Sequence, residues 1–124
     1  MRAWTAAHGL ALEAYNVTRP FPKSELYGLT SQIRRSAASV SANIAEGCGR
    51  GSRLDFARFL QIARGSASEL EYHFVLAADL GLLDATKHAR LASDVADVKR
   101  MLTGLIRKLE ATGKAAGRRP PDDE

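Results

Sequence analysis

Residues 28–50 read GLTSQIRRSAASVSANIAEGCGR, and their spacing decides the fold. Ile33, Ala37, Val40 and Ile44 recur at steps of four, three and four. That spacing lines one face of an α-helix, since about 3.6 residues complete a turn. A second stripe lies one residue behind: Gln32, Ser36, Ser39 and Asn43, with Glu46 completing the row. The remaining residues are mostly small (Ala38, Ser41, Ala42, Ala45), and no charge falls between Arg35 and Glu46. So thin a helix lets its neighbours approach closely, and we expect it to be the buried central helix of an all-α domain. A buried carboxylate must be paired and hydrogen-bonded. Asn43 and Glu46 are therefore candidates for a structural clamp, with Glu46 holding an arginine or a helix end and Asn43 bridging backbones. The competing reading makes them polar groups of a ligand site.

Before this stretch, Ala3, Ala7, Leu10, Ala14 and Val17 form a helical stripe, with Trp4, Ala11 and Tyr15 beside it. The predicted helix covers about 3–18 and stops before Pro20, which disfavours helical geometry in the residue ahead of it. A short connector with a brief helical lead-in follows. Gly28 breaks it, and Thr30 or Ser31 is the expected cap of the second helix, about 30–48. Beyond the central stretch, Gly47 is a candidate for a left-handed closing residue. The spaced glycines 47, 49 and 51 lack the Lys-Ser/Thr of a phosphate-binding P-loop, and no strand precedes them. Ser52 and Asp55 form a capping box for a third helix, about 53–80, whose stripe is Phe56, Leu60, Ala63, Ala67, Leu70, Phe74 and Ala77. Gly65-Ser66 in its middle costs roughly 1 kcal/mol of helix propensity, and close approach of another helix is the expected gain. Gly81 ends that helix and Asp84 caps the fourth, about 85–111. Its stripe of Leu91, Val95, Val98, Leu102, Leu105 and Leu109 alternates steps of four and three, the seam of bundle packing. We expect one domain over residues 1–112, an antiparallel up-down four-helix bundle, with residues 113–124 a disordered tail rich in Gly, Pro and charge.

Bulk composition sets the class. A chain of 124 residues with 45% hydrophobic and 26% charged residues is that of a soluble globular domain. One cysteine, Cys48, excludes an intramolecular disulfide framework and fits a reducing cytoplasm. The N-terminal run, interrupted by His8 and Glu13, is neither a signal-peptide core nor a membrane span. The formal charge of +4 is concentrated: residues 29–64 carry Arg34, Arg35, Arg50, Arg53, Arg58 and Arg64 against only Glu46 and Asp55. The rest of the chain is balanced. A planar arginine fork suits phosphate or carboxylate better than lysine's point charge does. Two readings follow, an anion-binding surface or salt bridges to neighbouring helices and subunits.

Catalytic and metal signatures are missing. Di-metal bundles use Glu-x-x-His pairs, but Thr5, Leu70 and Ala85 precede His8, His73 and His88 by three. Glu69 with His73, and Asp84 with His88, are one turn apart, a spacing more often found in surface hydrogen bonds than in metal sites. Cys48 has no sequence-defined catalytic partner, and no Gly-x-Ser-x-Gly elbow exists. No enzyme, metal or cofactor is expected.

Taken together, FPKSELYGLTSQIRRSAASVSANIAEGCGR and FARFLQIARGSASELEYHFVLAADLGLL, with Trp4 near the start of the first helix, resemble the four-helix-bundle family named for proteins encoded within 23S rRNA intervening sequences. The resemblance extends over about residues 4–109. It implies a bacterial, non-enzymatic bundle assembled as a homopentameric barrel. It also implies a distant similarity in fold to the accessory variability protein of diversity-generating retroelements, a basic barrel that binds a reverse transcriptase and nucleic acid. The resulting expectation is an oligomeric scaffold that binds nucleic acid, RNA first, through Arg50, Arg53, Arg58 and Arg64, followed by Arg34 and Arg35. The rival expectation is an adaptor for a neighbouring enzyme such as a reverse transcriptase, with the arginines serving subunit packing.

Overall fold

In a computed structural model describing residues 1–118, with side chains described through 111, four α-helices and no strand occur among the described residues. They are α1 (Arg2–Thr18), α2 (Leu29–Cys48), α3 (Arg53–Asp79) and α4 (Ala85–Arg118), with a turn of 3-10 helix at Lys23–Glu25 before α2. Each helix packs on its neighbours in sequence and α4 returns to α1, while the diagonal pairs stay apart. Cross-links fix the directions. Ser39 meets Ser66 and Arg35 meets Glu69 between α2 and α3. Lys99 meets Glu71 and Gln61 meets Glu110 between α3 and α4. In both sets the numbers run oppositely, so the helices are antiparallel. No helix among the described residues is long and apolar enough to cross a membrane.

The predicted stripes meet at the bundle axis. Ile33, Val40 and Ile44 from α2, Leu60, Leu70 and Phe74 from α3, and Leu91, Val95, Val98 and Leu102 from α4 are all essentially inaccessible. Full burial of each large side chain contributes roughly 1.5–3 kcal/mol. On α1 the stripe is mostly alanine (Ala3, Ala7, Ala14) around Leu10 and Val17. Trp4 and Tyr15, expected to widen the buried face, point to solvent instead. Towards the end of α4 it is Ile106 that is buried, with Leu105 and Leu109 at its edge.

α2 is not wrapped on all sides. Ala38, Ala42 and Ala45 lie on its exposed face, and Glu46 is exposed too. Small residues read as burial, yet alanine is also the best helix former on a surface, and here it serves there. The helix ends differ from expectation as well. Gly28 stands at the N-cap of α2, and the Glu25 carboxylate, rather than Thr30 or Ser31, accepts from the Leu29 amide at 3.2 Å. Gly47 is inside α2 and buried, and its place is set by close approach to α3; among the described residues only Gly81 has a positive φ (79°). Gly65, by contrast, is exposed with open space where a Cβ would stand, so it permits no close packing within the chain. Ser52 accepts from the Asp55 amide at 3.1 Å and Asp84 from the Lys87 amide at 2.8 Å, as the cap signals predict. The backbone of α4 is helical through Arg118, past the expected boundary at residue 112; residues 119–124 of the expected tail lie outside the described residues.

Candidate nucleic-acid interface

The exit of α2 and the entry of α3 gather four charged groups, two of them stacked over one aromatic ring. Arg50 donates through Nε to Asp55 Oδ2 at 2.9 Å and through Nη1 to Glu46 Oε2 at 3.1 Å. Arg58 donates through Nε and Nη2 to Asp55 Oδ1 at 3.1 and 2.9 Å. Both guanidinium groups lie over the Phe59 ring, at 5.0 and 4.6 Å from its centroid, a favourable placement of cation against ring face. Local sequence explains the cluster. Gly47 lets α3 cross close to α2, and the Ser52 cap starts α3 so that Asp55 falls in its first turn, where the helix dipole favours a carboxylate.

Two arginines and two carboxylates make this cluster neutral. Hydrogen bonds from Arg50 and then Arg58 hold the Asp55 carboxyl below the usual carboxylate range, against a smaller opposing effect of desolvation. The same bond to Asp55 raises Arg50. Because the folded-state value of Asp55 is depressed, its contribution is present above the unfolded carboxylate range, about 3.9, and is lost as pH falls through the folded value. We expect Asp55→Asn to lower the melting temperature at neutral pH, with the gap from wild type closing as both are titrated into the acid range. A gap that stays constant with pH would mean the carboxylate charge contributes nothing.

The other arginines divide by partner. Arg35 is paired with Glu69 at 2.8 Å and also donates to Gln32. Arg34 donates from Nε to the Thr18 hydroxyl at 2.9 Å and lies 4.7 Å over the Tyr15 ring. Arg64 donates to the Thr103 hydroxyl at 3.2 Å. Arg53 is half-buried in the first turn of α3. The structure thus does not gather the six arginines into one patch. Arg50 and Arg58, first in the expected order, have their charge met within the chain. Arg34, placed later in that order, has no carboxylate partner among the described residues.

The expected clamp is split between two sites. Glu46 holds an arginine as anticipated, but on the surface, with 55% of its side chain exposed, so it is no buried carboxylate. Asn43 is half-buried and donates to the Ser39 carbonyl and hydroxyl at 2.9 and 3.0 Å, and the Ser39 hydroxyl meets that of Ser66 across the helix pair at 2.8 Å. Asn43 therefore steadies a serine bridge between α2 and α3 rather than bridging backbones itself. A double-mutant cycle on Ser39→Ala and Ser66→Ala should give a coupling of about 0.5–1.5 kcal/mol; additive losses would show the bridge to be energetically silent. Of the histidine pairs, Glu69 is taken by Arg35 and Asp84 caps α4. Among the described residues no group of three or more His, Cys, Asp or Glu is placed to hold a metal.

At the opposite end of α2 sequence reasoning names Arg34 and Arg35 but misses the open cleft of about 390 Å³ that they line with Tyr15, Tyr27, Thr30 and Ser31. The sequence reads Thr30 or Ser31 only as a helix cap. The pairing of Tyr15 with Arg34 joins two helices across a connector, and no local period announces it.

Fold and surface together define an all-helical, four-helix-bundle protein whose polar clusters are arginine-centred. The chain belongs to the 23S rRNA-intervening sequence protein family, whose model matches residues 1–104. Among solved structures, the chain is similar in fold to a protein of unknown function from the S23 ribosomal protein family of Bacteroides thetaiotaomicron. The TM-score is 0.76 at 24% identity, over 84% of this chain and 97% of that one. A search of curated protein sequences found no match.

Proposed function

We propose that this chain is a non-enzymatic scaffold that assembles with copies of itself, as the family resemblance implies, and carries RNA on arginine charge brought together by assembly. The observation that carries the reading is the outer face of α1. Met1, Trp4, Leu12 and Tyr15 share that face and are all exposed, with His8 stacked on Trp4 at 4.9 Å. Large apolar residues lined up on one exposed face mark an interaction surface. Assembly then multiplies Arg34 and Arg64, which have no carboxylate partner among the described residues, by the number of copies, and a ring of such charges focuses a stronger field than one chain does. A second reading, an adaptor for a neighbouring enzyme, is favoured by Arg35, Arg50 and Arg58, whose charges are already met inside the chain.

Phosphate contacts are independent of sequence and weaken steeply with salt. Co-sedimentation of the protein with single-stranded RNA from low to high salt is the test. Binding that is strong at low salt and falls linearly on a logarithmic scale supports the scaffold; no binding at low salt selects the adaptor.

A further inference from the structure

The cleft at the start of α2 has chemistry that the paired arginines lack. Arg34 is held in place from two sides. Tyr15 lies under its guanidinium, and Thr18, whose own hydroxyl donates to the Ala14 carbonyl at 2.7 Å, accepts from Nε. Neither terminal nitrogen of Arg34 has an acceptor among the described residues, so its two-pronged edge is fixed and unused. Thr30, only 3% exposed, lines the cleft, and its hydroxyl has no hydrogen-bond partner. A buried hydroxyl without a partner is costly. Thr30 and Ser31 also belong to the first turn of a helix of 20 residues, where amides have no intrahelical acceptor and the dipole favours an anion. The Glu25 carboxylate occupies only the Leu29 amide. A smaller cleft of about 260 Å³ shares Thr30 and Arg34 and adds Arg19 and Lys23 at its rim. The charges facing the site are thus Arg19, Lys23, Arg34 and Arg35 against Glu25 and Glu69, a positive balance.

Beside this anion-accepting wall stands Tyr27, 93% exposed, an aromatic ring with no part in the core. A ring face in water adjoining a fixed guanidinium edge matches a ligand with a planar base and a phosphate, and stacking of this kind tolerates any base. The volume lies in the range of about 300–1,000 Å³ common for small-molecule pockets. We propose that the cleft between Tyr15, Tyr27 and the first turns of α2 binds a nucleoside phosphate, with the phosphate on Arg34, Thr30 and Ser31 and the base against Tyr27. This rests on the RNA reading above and locates its contact at the entry of α2 rather than at its exit. The same chemistry is offered by a free nucleotide and by one unit of a single strand.

Calorimetric titration with AMP, inorganic phosphate and a short oligoadenylate RNA tests it on wild type, Arg34→Met, Arg34→Lys, Tyr27→Ala and Arg50→Met. Wild type should bind AMP saturably and more tightly than phosphate. Arg34→Met should weaken AMP about tenfold or more, as expected for loss of charge-assisted hydrogen bonds. Arg34→Lys keeps the charge and the stem but loses the fork, and should weaken it as well; it serves if the methionine variant does not fold. Tyr27→Ala, at a fully exposed position, should erase the preference for AMP over phosphate, and Arg50→Met should change neither. AMP binding accompanied by tight oligoadenylate binding assigns the site to a strand; AMP binding alone assigns it to a free nucleotide. Wild type that binds neither AMP nor oligoadenylate overturns the proposal. So does RNA binding that survives in Arg34→Met and is lost in Arg50→Met, a result that would leave the RNA-scaffold reading standing. AMP binding without any RNA binding keeps the cleft and removes the RNA role.

Discussion

Gly47→Val should lower the unfolding free energy by about 3 kcal/mol, the upper end of the usual range for overpacking. A Cβ at this position would stand 2.9 Å from Phe56 Cδ1, 2.9 Å from Phe59 Cβ and 3.3 Å from the Phe56 carbonyl oxygen. The first of these atoms can swing away with its ring. The other two are tied to the backbone of α3, so relief requires moving that helix. Two effects oppose each other at this glycine. Helix propensity alone would make Gly47→Ala more stable by about 1 kcal/mol, whereas the clash makes it less stable. The distances favour the clash, and we expect alanine to destabilise and valine to do so further. Urea unfolding of both variants decides the sign. A stabilised alanine variant would show that α3 yields freely and that close approach is not what places glycine here. Displacing α3 would also pull Asp55 and Phe59 from Arg50, so the melting curve of Gly47→Val should lose the pH dependence contributed by that pair.

The same glycine shows what was legible in the sequence. Its position just before the end of a periodic stretch announced a helix terminus, and α2 does end one residue later. Which demand glycine meets there, a left-handed φ or a close neighbour, is a tertiary matter that no local pattern encodes. Periodicity located all four helices and most of their buried faces because burial repeats with the helical turn. It failed where residue size substituted for burial, at Ala38, Ala42 and Ala45, since alanine satisfies a surface helix as well as a packed one. Charge clustering identified the arginines but not their partners. Arg50 and Arg58 found Asp55 close by in sequence, which was readable in principle from their spacing. Arg35 found Glu69 and Arg34 found Thr18 on other helices, and only the antiparallel register brings these together.

If copies of the chain meet through the outer face of α1, as proposed, Leu12→Glu combined with Trp4→Glu should leave only the 13.4 kDa chain with its fold intact. Both side chains are exposed on one face of α1, and neither belongs to the core cluster, so their loss removes little from the stability of one bundle. At an interface the arithmetic differs. Burying each large apolar side chain contributes about 1.5–3 kcal/mol, and placing a carboxylate there adds desolvation cost and, between copies, like-charge repulsion. A loss of about 3 kcal/mol or more per interface raises its dissociation constant over a hundredfold, and a closed ring incurs the loss at every contact. Light scattering after gel filtration gives the mass, and far-ultraviolet circular dichroism checks the helices. Ser93→Glu, an exposed polar position on α4, is the control and should leave the mass unchanged. If the double variant keeps the wild-type mass, the α1 face is not where copies meet. A fall in mass with wild-type helicity would separate assembly from folding, and such an isolated bundle also permits a further comparison. RNA binding that disappears with the assembly would mean that the arginines act through their number, whereas binding that persists would place recognition within each chain.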